Sequence, residues 1–241
     1  MTCIDASGMD YAALNAAIRA CDDNITIQNC VGQRFIGAGA QSRTIQIHGI
    51  PGNALGAYLD GGTVEVFGNA QDAVGDTMNA GRIVVHGNIG DTAGYAMRGG
   101  RIYVRGNAGY RTGIHMKAYQ DKLPVLVIGG RTGSFLGEYQ AGGVIIVLGL
   151  GAADERPIVS NFPCTGMHGG KLFLRSDCAS ILFPEQVTAR LATPEDMAEI
   201  AEYLREFCAL LGFDFDTLYA SRYTVVTPDS KNPYQQMYVA N

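Results

Sequence analysis

Several things that commonly announce a function are missing from this 241-residue chain. It has no apolar run of 18 residues and no secretory signal at its N-terminus, so nothing reads as a membrane span or an export leader. No Lys/Arg run stands out and the formal net charge is −5, which argues against nucleic acid and anionic membrane as partners. Six cysteines, Cys3, Cys21, Cys30, Cys164, Cys178 and Cys208, never form a C-x-x-C pair. A disulfide framework is not expected in such a chain, and each thiol reads as a small hydrophobe in a cytosolic protein. The strings GNAQDAVG and GNAGYRTG set glycines beside polar residues, but neither lies between a strand and a helix, so neither is a nucleotide loop.

Glycine, by contrast, is abundant. The 32 glycines exceed an average share of about 7%, and they are periodic. Residues 44 to 117 repeat one pattern four times with a period of 19, starting at Thr44, Thr63, Arg82 and Arg101. Gly49, Gly68, Gly87 and Gly106 close the opening strand; Gly56, Gly75, Gly94 and Gly113 sit mid-repeat; Gly62, Gly81 and Gly100 end it. A fixed period near twenty marks a solenoid, whose units bury their apolar faces only against neighbours.

Each unit opens on an alternating run. Ile45, Val64, Ile83 and Ile102 form one apolar column, Ile47, Val66, Val85 and Val104 a second, and Leu59, Met78, Met97 and Met116 a third. Period two means strand. The positions between, Gln46, Glu65, Val84 and Tyr103, read as mixed and tolerant of water. No unit has room for a ten-residue helix, which excludes helical-pair and leucine-rich repeats, and the chain keeps neither the period nor the hexads of left-handed β-helices. The expected fold is therefore an all-β solenoid, a single-stranded right-handed β-helix of about seven coils with short capping helices at its N- and C-terminal ends.

Three segments follow. Residues 1–23 carry an amphipathic stretch from Met9 to Cys21 that Ser7 or Asp5 could cap, read as a lid on the first coil. Residues 24–180 carry the coils, beginning with a degenerate repeat and interrupted by insertions at Ala118–Pro124 and Leu150–Cys164. Residues 181–241 carry a helix with Thr193 as N-cap, Pro194 in its first turn and Gly212 at its stop, expected to cap the last coil or dock a partner, then a tail from Thr227. The tail reads as an extended arm or a frayed terminus.

Chemistry is sparse. His48 and His86 share a column two repeats apart, with Phe67 between them and Arg105 beyond; rungs spaced by about 4.8 Å put them near 10 Å apart, too far to share a metal. Asn69, Asn88 and Asn107 form a column read as structural, bonding side chain to side chain or tolerating a left-handed turn. Asp60, Asp72, Asp76, Asp91 and Asp121 fall in no single column, and Arg98, Arg101, Arg105 and Arg111 could meet an acidic partner or form a solvated face. Neither a catalytic, a cofactor-binding nor a metal-binding residue is assigned.

Taken together, GNALGAYLDGG, DAVGDTMNAGRIVVHGN, MRGGRIYVRGNAGYRTG, LGEYQAGGVIIVLG and TGMHGGKLFLR resemble the glycine-repeat (GXGXG) domain that ends the large subunit of glutamate synthase and recurs in one of the subunits of formylmethanofuran dehydrogenase. The resemblance runs from about Ile25 to Arg175, and the closing helix with NPYQQMYVAN is similar to the stand-alone archaeal-type version. It implies a scaffold without catalytic residues. In glutamate synthase, glutamine is hydrolysed at an N-terminal cysteine and ammonia passes to an FMN and iron–sulfur synthase domain. The resemblance thus implies no cofactor in this chain, FMN and an iron–sulfur cluster in a partner synthase subunit, and a glutamine amidotransferase subunit as second partner. Cys3 does not follow Met1 directly, and it is not assigned as the nucleophile. The alternatives are the same scaffold role in a formylmethanofuran dehydrogenase or formyltransferase/hydrolase complex, and an independent carbohydrate-active β-helix protein. Contact regions are expected at the glycine-rich corners and the two insertions.

Overall fold

The computed structural model describes residues 1–151 and 156–229. The tail NPYQQMYVAN and residues 152–155 of the second insertion lie outside them. Nine strands stack in parallel and in chain order: β1 (Thr2–Asp5), β2 (Ile25–Val31), β3 (Thr44–Ile50), β4 (Asp60–Phe67), β5 (Ala80–Val85), β6 (Arg101–Val104), β7 (Val125–Ile128), β8 (Ala141–Val147) and β9 (Gly169–Leu174). The chain is a β-solenoid. The stack makes about eight turns, one more than the repeats alone counted, because β1 adds a rung by pairing in parallel with β2. Residues 1–23 are therefore part of the first turn. Its return is the helix α1 (Tyr11–Arg19), whose N-cap is Asp10, accepting from the Ala13 N–H; Asp5 instead bonds Ser7 and Asn29.

The columns are the register. Ile45 pairs with Val64, Val64 with Ile83, and Ile83 with Ile102. These side chains point inward with Leu59, Met78, Met97 and Met116, all at most 1% exposed. Their full removal from water contributes about 1.5–3 kcal/mol each. Where glycine stands, the neighbouring rung decides it: a Cβ on Gly49 would lie 2.1 Å from the Cys30 carbonyl oxygen.

The stack ends in an antiparallel pair. β11 (Thr224–Pro228) lies on β9, and β10 (Val187–Leu191) lies on β11. Between them run α2 (Pro194–Leu211) and the short α3 (Phe215–Tyr219). The sequence signals for α2 are realised: Thr193 and Asp196 form a reciprocal capping box, Pro194 opens the first turn, and Gly212 ends the helix at φ 74°. The helix does not sit on the last rung. Its stripe, Ile200, Leu204, Phe207 and Leu211, lies along the outer face of the sheet in a second core with Val84, Tyr103, Val127, Ile146 and Phe173. The column expected to tolerate water is thus buried from β5 onward, where Val84 and Tyr103 are both 0% exposed.

Candidate functional site

Polar side chains on the solenoid are arranged mainly in ladders. Asn69 Oδ1 accepts from the backbone N–H of Asn88 at 2.8 Å, Asn88 Oδ1 from Asn107, and Asn107 Oδ1 from Arg131. The asparagines thus hold the next rung's backbone, and their direct amide–amide contact is only a weak 3.5 Å between Asn88 and Asn69. A glycine precedes each recipient for a steric reason: a Cβ on Gly87, Gly106 or Gly130 would come within 2.3 Å of the asparagine oxygen below. That is why the pair Gly-Asn recurs. A parallel ladder runs Asn53, Asp72, Asp91, with Asp72 Oδ1 accepting from Asp91 N and Asp91 Oδ1 from Tyr110 N. Two of the five aspartates therefore do share a column, and they are engaged by backbone amides.

The histidine column is as spaced. His48 stacks on Phe67 and Phe67 on His86, each with centroids 4.8 Å apart, and His86 Nε2 lies 2.9 Å from Glu65 Oε1. His115 and His168 stand apart from it: His115 stacks on Tyr139, and His168 Nδ1 lies 3.0 Å from the Gly166 carbonyl. Among the described residues no three His, Cys, Asp or Glu side chains come together as a metal site.

The arginines separate. Arg101 and Arg105 meet the chain's own α2, not one shared surface. Glu206 receives Arg82 at 2.8 Å, Arg101 at 2.6 Å and the Tyr103 hydroxyl at 2.6 Å. Burial would raise the Glu206 carboxyl, but those three donors outweigh it and hold it below its ordinary value. Burial pushes the Tyr103 phenol up, and its bond to Glu206 adds to that. Arg105 donates to the Leu211 carbonyl and covers the Phe213 ring. At the helix start, Arg190 grips Asp196, keeping that carboxyl far below its usual range. Arg111 lies elsewhere, 2.8 Å from the buried Glu138 in an ion pair without hydrogen-bond geometry, with its guanidinium over Tyr110 and Phe135.

One corner of the solenoid was not legible in the sequence. In each turn the backbone there visits the left-handed region at alternate residues: Phe35, Ala54, Ala73, Thr92, Arg111, Phe135 and Phe162 form one column, and Gly39, Tyr58, Thr77, Ala96, His115, Tyr139 and Gly166 another. Aromatic rings protrude there into solvent, Phe162 at 63% and Tyr58 at 59% exposure. The only sequence signal is the mid-repeat glycine between the two columns, and nothing marks the non-glycine positions.

The cysteines stay apart from any catalytic arrangement. Cys3 is exposed on the edge strand β1, whereas Cys30, Cys164, Cys178 and Cys208 are buried. Burial pushes the Cys30 thiol up to about 11 and raises the others, so each is held as the neutral thiol. Of the two insertions, the first brings Lys122 to Asp60 at 3.4 Å. The second borders a groove of about 860 Å³ lined by Arg131, Thr132, Pro157, Ser160, Phe162 and Leu182.

These corners and rungs follow one family's pattern. The GXGXG motif model matches residues 9–229. The chain belongs to the GXGXG motif family. A relative from Methanocaldococcus jannaschii, the uncharacterized protein MJ1350, is 43% identical over 248 residues, covering 98% of this chain and 95% of its own length. The GXGXG match extends past β9 through α2 to β11, so the lateral helix and the closing strands lie within the matched region together with the coils.

Proposed function

We propose that this chain is the non-catalytic scaffold subunit of a split glutamate synthase, assembling a glutamine amidotransferase subunit with an FMN and iron–sulfur synthase subunit. The observation that carries the reading is how the reactive side chains are spent. Asn69, Asn88, Asp72 and Asp91 hold the next rung's backbone amides, and Glu206, Arg82 and Arg101 fasten α2. Such a chain offers its partners rigid, repeating surfaces rather than a reacting group. In this reading FMN and the iron–sulfur cluster belong to the partner synthase subunit.

The test is isolation of the tagged chain from its own host under gentle conditions, with identification of co-eluting proteins and the flavin spectrum of the eluate. An FMN/iron–sulfur protein and a glutaminase-like protein are expected. Molybdopterin-type partners would instead select the formylmethanofuran dehydrogenase role, and a colourless chain eluting alone would overturn both.

A further inference from the structure

The groove beside the second insertion leaves apolar side chains bare. Leu182 is 90% exposed, more than any other large hydrophobic side chain among the described residues, and Phe162 on the same groove is 63% exposed. Pro157 and Ile181 extend that lining. Single exposed apolar residues are ordinary on a protein surface, but several gathered in one concavity mark a place where something binds. Pockets of about 300–1,000 Å³ take most of a ligand's surface out of water, and this one holds about 860 Å³.

The occupant is indicated by where the chain leaves β11. That strand runs antiparallel to β10 and ends with Pro228 opposite Val187. Just past it, the Asp229 N–H donates to the Gln186 carbonyl at 2.9 Å, and the Thr188 hydroxyl donates to Asp229 Oδ1 at 2.6 Å. The Gln186 side-chain amide donates in turn to the Cys164 carbonyl at 3.4 Å, next to Pro163 in the groove wall. A chain that keeps the heading of β11 therefore passes back along residues 186–180. Leu182 is four residues from Gln186 and so within about 14 Å of it.

The sequence supplies a surface to match. Residues 230–241 read SKNPYQQMYVAN, in which Tyr234, Met237, Tyr238 and Val239 carry apolar bulk and Lys231 alone is charged. Tyr234 follows Asp229 by five residues, a reach of about 17 Å. Its ring suits apolar walls and its tip suits the Ser160 and Ser180 side chains on the same lining. A segment tethered this close is present at an effective concentration of millimolar order, so even a millimolar affinity fills the groove in a large share of molecules. We propose that residues 230–241 dock in this groove of the same chain, laying Tyr234 and Tyr238 over Phe162 and Leu182. Filled in this way, the groove is closed to a partner subunit unless that partner displaces the segment. The inference concerns this chain alone and stands apart from the scaffold reading.

The chain contains no tryptophan, so Leu182→Trp in the full chain places a single indole in the groove as a reporter. Its quenching by acrylamide is compared with that of the same variant carrying Tyr234→Ser and Tyr238→Ser. If the segment buries most of the indole, removing both rings should raise quenching about threefold and shift the emission to the red. Leu191→Trp, at a half-exposed position at the other end of β10, is the control and should be quenched alike in both backgrounds. The substituted side chains at 182, 234 and 238 support no part of the described core, so the fold is not at stake. Equal quenching at position 182 with and without the two tyrosines overturns the proposal. Protection that grows with protein concentration overturns it as well, because it would assign the segment to the groove of a second copy.

Discussion

On the outer face of the sheet, β3 and β4 present Gln46 and Glu65 to water, while the same column from β5 to β9 reads Val84, Tyr103, Val127, Ile146 and Phe173 beneath α2. Backbone geometry and register are continuous across this boundary, so the strand pairing does not set the polarity of the column. What sets it is the presence of a cover. A solenoid flank can be solvated or can serve as half of a second core, and the side chains record which.

The contrast can be broken most severely from the covered side. Phe207→Ala, at a position with 0% exposure, is expected to cost about 3–5 kcal/mol through lost burial and an unfilled cavity, measured by denaturant unfolding. Next comes the clamp: Glu206→Gln removes the charge that Arg82, Arg101 and Tyr103 converge on, with an expected loss of about 2–3 kcal/mol, reduced from a fully buried pair because the arginines reach solvent. Acid should mimic it. The folded Glu206 carboxyl titrates below its unfolded value; its contribution is therefore complete above the unfolded value of about 4.3 and is lost as pH falls from there through the lower folded value. Melting temperature should drop over that window in the wild type and less in Glu206→Gln.

Smaller effects sharpen the comparison. Asn88→Ala removes one bond of the asparagine ladder, the one accepted from Asn107 N–H, and should cost about 1 kcal/mol. On the open flank, Gln46→Ala is expected to stay within about 0.5 kcal/mol. A loss there as large as that of Phe207→Ala would mean the open flank is not open.

Much of this architecture could be read from residues. Period and alternation placed Ile45, Val64, Ile83 and Ile102 in one register, because a solenoid repeats its contacts at fixed spacing. Thr193, Asp196 and Gly212 marked α2 because capping is local chemistry. The position of α2 was not readable: alternation tells which side chains share a face, not what lies over it, and the change from Glu65 to Val84 looked like tolerance when it was a boundary. The closing strands β10 and β11 pair antiparallel and outside the period, so the repeat carried no trace of them. The arginines looked like one patch because they are close in sequence, whereas one strand and one turn send Arg101 and Arg111 to opposite tasks. The left-handed aromatics escaped because propensity assigns such positions to glycine, and the chain departs from propensity there.

The clamp on Glu206 also has a history in time. Ladder bonds join residues 19 apart, but Arg82 and Glu206 are separated by 124 positions. At about 5–20 residues synthesised per second, roughly 6–25 s pass between the emergence of the first covered strand and that of its cover. During that interval the nascent chain holds a nearly finished row of rungs with one apolar side bare. Whatever shields a growing chain from its neighbours is needed most at this flank, until α2 leaves the ribosome and lies down along it.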